Sequence, residues 1–206
     1  MNDFEIDVSA LSARRVYSLL TSLVVPRPIA WVATVDTAGR SNLAPHSYFN
    51  MVSSEPPIVH FTSSRRRGLV KDSARNARDT GEFVVNVVSA PLVEAMNLTS
   101  AELPHGEDEF AWAGIEACES RTVRPQRVAR APAALECKVV RILEIGNGTM
   151  VFGQVQWIHI ASAVFDGHRV DAKALEPMAR LGGPLYTPIA EPFTLQRPGP
   201  PATETP

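Results

Sequence analysis

Residues 62 to 73 read TSSRRRGLVKDS: the hydroxyls of Thr62, Ser63 and Ser64, then Arg65, Arg66 and Arg67, then Lys71, Asp72 and Ser73 where a helical pattern begins. A phosphate monoester carries about 1.5 to 2 negative charges and is held by short charge-assisted bonds from lysine, arginine, hydroxyls and helix N-terminal amides. This stretch offers all four. It contains no nucleophile with a base beside it, so the chemistry it suits is anion binding rather than bond breaking. A solvated basic turn with Asp72 capping the helix is the competing reading.

A second stretch, NLAPHSYFN at 42–50, lies shortly upstream. Pro45 is expected to break a strand and leave the backbone N–H groups of Ser47, Tyr48 and Phe49 outside a full ladder, beside two aromatic faces. A planar heteroaromatic ring with acceptors along its edge would find donors and an apolar wall there. A bulged strand end with its aromatics in the core is the alternative.

Other chemistries lack their signatures. The glycine-rich dinucleotide and triphosphate motifs, GxSxG and HExxH are all missing. The five histidines show no ligand spacing, and Cys118 and Cys137 form no CxxC, so they read as buried thiols and no metal is expected. A formal net charge of −2 provides no global field for nucleic acid or an anionic membrane, and neither partner is expected. The start, MNDFEIDVSA, lacks the basic and apolar regions of a secretory signal, and the longest apolar run is interrupted by Pro26, Arg27 and Pro28. A cytoplasmic protein is the expectation.

The elements that must position these residues follow from periodicity. A short helix is predicted over 12–23, with Ser12 as its cap. Strand, turn and return strand are predicted over 28–36, 37–40 and 41–49, and further strands over 56–63 and 81–89. Between the latter two, residues 71–80 suit a helix that Gly81 ends. Another helical stretch covers 90–103, and two long strands flank GNG within 132–167. Both faces of IAWVATV and FVVNVV are apolar, which asks for burial on two sides, as in a barrel whose outer face meets a helix or another subunit. The fold class is therefore mainly β with peripheral helices, in one domain over 1–197. PGPPATETP, at 198–206, reads as a disordered tail.

RPIAWVATVDTAGRSNLAPHSYFN, EPPIVHFTSS, KDSARNARDTGEFVVNVV and the later ARLGGPLY, taken in order, resemble the flavin reductase-like family of FMN-binding split barrels, from about Val25 to Pro198. The resemblance implies a split β-barrel, a homodimer, and FMN in a cleft drawing on both subunits. It places Ser47, Tyr48, Phe49 and Asn50 along the isoalloxazine, and Thr62, Ser63, Ser64 and Arg65 on the ribityl chain and phosphate. Lys71, Asp72, Ser73 and Asn76 fall at the phosphate end, Arg27 and Pro28 close by. Arg180 and Tyr186, with Gly182 and Gly183, match the segment that closes over the flavin or its nicotinamide partner. Ala161 stands where many relatives carry an acidic residue, which leaves the role of His159 open.

The activity so implied is an FMN-dependent NAD(P)H oxidoreductase, a flavin reductase, with a monooxygenase component as possible recipient of the reduced flavin. Flavin chemistry asks for no protein nucleophile, which accounts for the missing catalytic pair. An FMN-holding electron carrier or small-substrate flavoenzyme is the alternative within the fold. A non-redox barrel holding haem through His159, or a nucleotide, is the alternative from another class.

Overall fold

The computed structural model describes residues 3–65 and 67–199. Arg66, and all of the expected tail except Pro198 and Gly199, lie outside the described residues. After a 3-10 turn at Val8–Ala10, helix α1 spans Ala13–Leu23; the Ser12 hydroxyl accepts from the Arg15 amide, as an N-cap should. Strands β1 (Arg27–Pro28), β2 (Ala30–Val35), β3 (Ser41–His46), β4 (Phe49–Ser54) and β5 (Pro57–Ser64) follow. Helix α2 (Asp72–Thr80) ends at Gly81, whose left-handed φ of 75° is open to glycine without strain, and leads into β6 (Glu82–Val87).

The predicted helix over 90–103 is shorter in the structure: a 3-10 turn at Ala90–Leu92 and α3 at Val93–Leu98. Beyond Leu98 the backbone tightens to i→i−3 bonds, Ser100 N to Asn97 O and Ala101 N to Leu98 O, and the Thr99 hydroxyl donates to the Met96 carbonyl and accepts from the Trp31 indole at 2.9 Å. Helix α4 (Glu109–Trp112), the short strands β7 (Ala117–Cys118) and β8 (Arg127–Val128), and the long pair β9 (Ala133–Ile145) and β10 (Gly148–Ile160) come next. Helix α5 (Ala172–Leu175) precedes β11 (Met178–Arg180) and β12 (Tyr186–Pro188), which flank the ARLGGPLY turn and form a small sheet with β1. Among the described residues no helix is long and apolar enough to cross a membrane.

Seven strands make the main antiparallel sheet in the order β3-β2-β6-β9-β10-β5-β4. Its two edge strands, β3 and β4, are consecutive in the chain and separated only by Ser47 and Tyr48. The sheet therefore curls until its edges approach at one end, and the result is a split barrel.

Strand alternation sorts the core. From β2 and β6, Ala30, Val32, Phe83 and Val85 face inward with Phe61, Cys137 and Val151, and Ala74 and Ala77 of α2 close this cluster. The opposite side chains, Trp31, Ala33 and Val84, pack beneath Leu92, Met96 and Phe110 of the α3–α4 segment. Two-sided burial is what the runs of apolar residues required. By contrast Met51 and Val52 of β4, Val140 of β9 and Ile158 of β10 stay exposed.

Gly153 sits at a register shift between β9 and β10, where a Cβ would lie 2.4 Å from the Phe83 ring and 2.9 Å from Cys137 Cβ. Substituting Gly153→Ala is expected to destabilise the fold by about 1–3 kcal/mol through overpacking. Urea unfolding measures this, and an unshifted midpoint would show that the β9–β10 bulge has room to spare.

Candidate functional site

The site is built around the edge of β3. The Leu43 amide donates to Glu109 Oε2 at 2.9 Å, so residue 43 turns its backbone groups away from β2. Backbone direction alternates along a strand, so residue 45 is turned outward as well, and a proline there forfeits no ladder bond. Pro45 accordingly lies inside β3, opposite Trp31, and does not break the strand as its residue type suggested. The strand stops one residue later, at His46. Ser47 and Tyr48 then cross to β4, with the Tyr48 carbonyl accepting from the Thr62 amide at 2.8 Å.

A cleft of about 270 Å³ opens at this crossing. Ser47, Tyr48, Thr62 and Ser64 form one wall, Tyr17 and Thr21 of α1 another, and Arg27, Lys71, Arg180 and Gly183 bring positive charge and backbone. Burial pushes the Tyr48 hydroxyl up, neighbouring Tyr17 adds to this and Arg27 opposes it, so the phenol stays protonated and can donate. A larger cavity of about 580 Å³ adjoins, sharing Pro45, His46 and Lys71 with the cleft. It runs under the start of α2 towards Thr99, Leu103, His105 and Glu109.

Lys71 occupies the N-cap position of α2, and among the described residues no side chain caps the first amides of that helix. Arg27 is held by three carbonyls: Nη1 donates to Thr21 O at 2.6 Å and Val24 O at 2.7 Å, and Nη2 to Leu181 O at 2.9 Å. A guanidinium at the end of α1 satisfies its last carbonyls and suits the helix dipole.

A family model described as "Flavin reductase like domain" matches residues 22–175. The chain belongs to this family. An uncharacterized protein from Deinococcus radiodurans is 42% identical over 96% of this chain and 91% of its own length. Among solved structures, nitrilotriacetate monooxygenase component B from Bacillus cereus is 33% identical with a TM-score of 0.92, covering 95% of this chain and 100% of that one. The 2-nitrobenzoate 2-nitroreductase NbaA of Pseudomonas fluorescens is 30% identical with a TM-score of 0.87, covering 98% of both chains. The split barrel seen here is thus the fold of a flavin reductase-like protein.

In this flavin reductase-like chain, eight of the residues singled out by sequence line the cleft: Arg27, Ser47, Tyr48, Thr62, Ser64, Lys71, Arg180 and Gly183. Arg67, Asp72 and Ser73 line the larger cavity together with Lys71. Others are placed elsewhere. Ser63 alternates with Thr62 and Ser64 and so faces the barrel interior, 2% exposed, its hydroxyl without a partner among the described residues. Phe49 likewise packs into the interior, Asn50 turns its Oδ1 to the Met51 amide, and Pro28 pairs with Ala179 in the small sheet. Arg65 pairs with Glu144 at 3.1 Å. Asn76 donates to Thr34 Oγ1 at 3.3 Å, inside the fold. The Tyr186 ring lies 4.4 Å from the Arg180 guanidinium, and its hydroxyl accepts from Arg180 and donates to Asn97 at 3.1 Å.

Sequence reasoning passed over Tyr17, Thr21 and above all His46, which touches both cavities. Its partner Ser73 is remote in sequence, so no spacing rule points to the pair. The His46 Nε2 lies 3.1 Å from Ser73 Oγ, and the ring sits 5.0 Å from that of Phe61. His159, the histidine singled out from sequence, lies in neither cavity; its Nε2 is 2.6 Å from Oε1 of the buried Glu136.

Burial, then the nearby Lys71 charge, push the His46 imidazole down from the ordinary 6.5 to about 4, against a backbone hydrogen bond at Thr62 that favours the charged form. A depressed value means the unfolded chain binds the proton first. His46 therefore contributes nothing adverse above pH 6.5, destabilises progressively as pH falls towards 4, and adds no further loss below that. The whole window is worth on the order of 3 kcal/mol. Half-buried His60 is pushed the same way by burial. Comparing unfolding free energies of the parent and His46→Phe across this window isolates the His46 share; parallel pH profiles would contradict it.

Proposed function

We propose that this protein is an FMN-dependent NAD(P)H oxidoreductase, a flavin reductase that passes reduced flavin to a monooxygenase component. The observation that carries the reading is the meeting, in one cleft, of Lys71 at the uncapped start of α2, the Thr62 and Ser64 hydroxyls, and the Tyr48 wall. This donor set fits a phosphate ester joined to a planar ring. Lys71 and the first amides of α2 would hold the phosphate; Thr62 and Ser64 would hold the polyol; Ser47 and Tyr48 would border the ring.

When bound, the flavin supplies the two-electron acceptor for hydride from a nicotinamide. The chain's own part is binding and orientation. Arg27 braces the wall formed by α1, and Arg180, stacked on Tyr186, presents a fixed positive charge at the cleft's other side. Aligning two rings in a walled cleft removes much of the entropic barrier to a bimolecular transfer. The 33% identity to a monooxygenase component B supports the supply role. A haem reading gains nothing from His159, whose Nε2 is engaged by Glu136.

We further propose a homodimer. The uncovered Met51, Val52, Val140 and Ile158 are large apolar groups on the outer barrel surface, and a second copy would bury them. A second reading, reduction of a small aromatic substrate at the flavin, is favoured by the larger cavity beside the cleft and by the 30% identity to a nitroreductase.

Oxidation of NADH or NADPH that requires added FMN is the expected activity. Lys71→Ala is expected to weaken FMN binding by about tenfold to a hundredfold, the worth of a charge-assisted bond. Flavin fluorescence titration reads the loss directly. Equal affinity in the variant would remove Lys71 from the phosphate site, and nicotinamide oxidation indifferent to flavin would end the reductase reading.

A further inference from the structure

Beneath the cleft lies a chain of polar side chains in the interior of the fold. Thr34 of β2, Asn42 and His46 of β3, and Ser73 and Asn76 of α2 are all buried. Asn42 Nδ2 donates to Thr34 Oγ1 and to Ser73 Oγ, both at 3.2 Å; Asn76 Nδ2 donates to Thr34 Oγ1 at 3.3 Å; Ser73 Oγ and His46 Nε2 are 3.1 Å apart. Ser73 Oγ accepts from Asn42, and in the neutral His46 tautomer whose other ring nitrogen donates to the Thr62 backbone, Nε2 accepts the Ser73 proton.

The apolar seat of α2 is made by Ala74 and Ala77. Two small side chains let the helix approach closely but offer little to stop it sliding or rotating. Hydrogen bonds are directional, and a buried network with every member satisfied selects one register. Ser73 is two residues from Lys71, and His46 reaches from that serine to β5, the strand carrying Thr62 and Ser64.

We propose that His46, with Ser73, Asn42, Thr34 and Asn76, is a positioning network that fixes the start of α2 and Lys71 against the β5 hydroxyls, and so sets the grip on the phosphate end of the ligand. This rests on the flavin reading above. It gives Ser73 and Asn76 a role other than contact with the cofactor: they hold the residues that make contact. His46 is a positioning residue, not a catalytic one.

The test compares FMN with riboflavin, which presents the same ring without the phosphate, by flavin fluorescence titration at neutral pH. The protein itself is expected to bind FMN more tightly than riboflavin. His46→Phe keeps the ring's bulk against Phe61 and deletes its hydrogen bonds; it should weaken FMN by about tenfold, one hydrogen bond's worth of positioning, and leave riboflavin within about twofold. His46→Gln, which retains an acceptor for Ser73, should recover most of the loss. Ser73→Ala should behave like His46→Phe, and carries the same test should that variant fail to fold. Equal weakening of FMN and riboflavin would reduce the network to general support of the fold and overturn the proposal, as would FMN affinity that does not change. Equal binding of the two flavins by the unaltered protein would be a different failure: it would remove the phosphate from Lys71, and the positioning role with it.

Discussion

The architecture depends on a constraint of chain length. The two edge strands of a seven-stranded sheet are joined by Ser47 and Tyr48 alone, so the sheet must curl until β3 and β4 come together, yet they do not pair. A split in a barrel leaves backbone groups and side chains of both edges facing the same gap. Every neighbouring element can be read as a response to that gap. Pro45 reduces the donors on one edge, the Glu109 carboxylate takes up the Leu43 amide, and the Thr62 amide reaches across to the Tyr48 carbonyl. The remaining space is walled by α1, the β11–β12 turn and the start of α2, and this is the cleft.

Burying a polar group costs free energy unless it finds a partner. Around the split this rule produces connections between elements that share little apolar surface. Arg27 joins the end of α1 to the Leu181 carbonyl, so the N-terminal helix and the C-terminal turn are held by one guanidinium. Gly182 completes that junction, since a Cβ there would lie 2.4 Å from the Ser22 hydroxyl. The buried amide of Asn86 does similar work on the other side, donating to Trp31 O at 3.0 Å and accepting from the Val128 amide at 2.9 Å.

Much of the fold was legible because it follows from local chemistry. Ser12, Gly81, the apolar faces of β2 and β6 and the GNG turn each announced their element. What escaped was set by tertiary context. Pro45 looked like a strand breaker, and only the position of β3 at the sheet's edge makes it harmless. The long helix expected after Ala90 ends early at Leu98, where the chain turns and Thr99 is tied to Trp31, a contact that no window of sequence contains. Within the candidate site, the ordered motifs named segments that the structure brings together around one cleft. They did not separate cleft-facing from core-facing residues, because that needs the phase of a strand. Thr62 and Ser64 face the cleft while Ser63 between them faces the core, and the phase is fixed by Phe61 two residues before Ser63. His46 escaped for a different reason: its chemistry is defined by a serine on another element.

The distribution of carboxylates completes the picture. Several carboxylates near the cleft and α2 are engaged within the fold, while Asp79 near the far end of α2 stays exposed. Asp72 is bound by Arg75 and by His105 at 3.0 Å; Glu144 takes Arg65, Arg78 and the Thr149 hydroxyl, which hold it below the usual carboxylate range; Glu109, pushed up by burial, accepts the Leu43 amide. The most deeply buried carboxylate, Glu136, lines neither cavity. Burial alone would push it up, but the Thr122 hydroxyl, the Arg121 and Thr122 amides and His159 outweigh this and hold it at about 2, so it pins the 121–122 loop to β9 across the physiological range. Half-buried His159 and buried His46 thus serve different ends. His159 faces a carboxylate that secures a loop, whereas His46 faces a hydroxyl, stays neutral beside Lys71, and adds no charge of its own to the cleft.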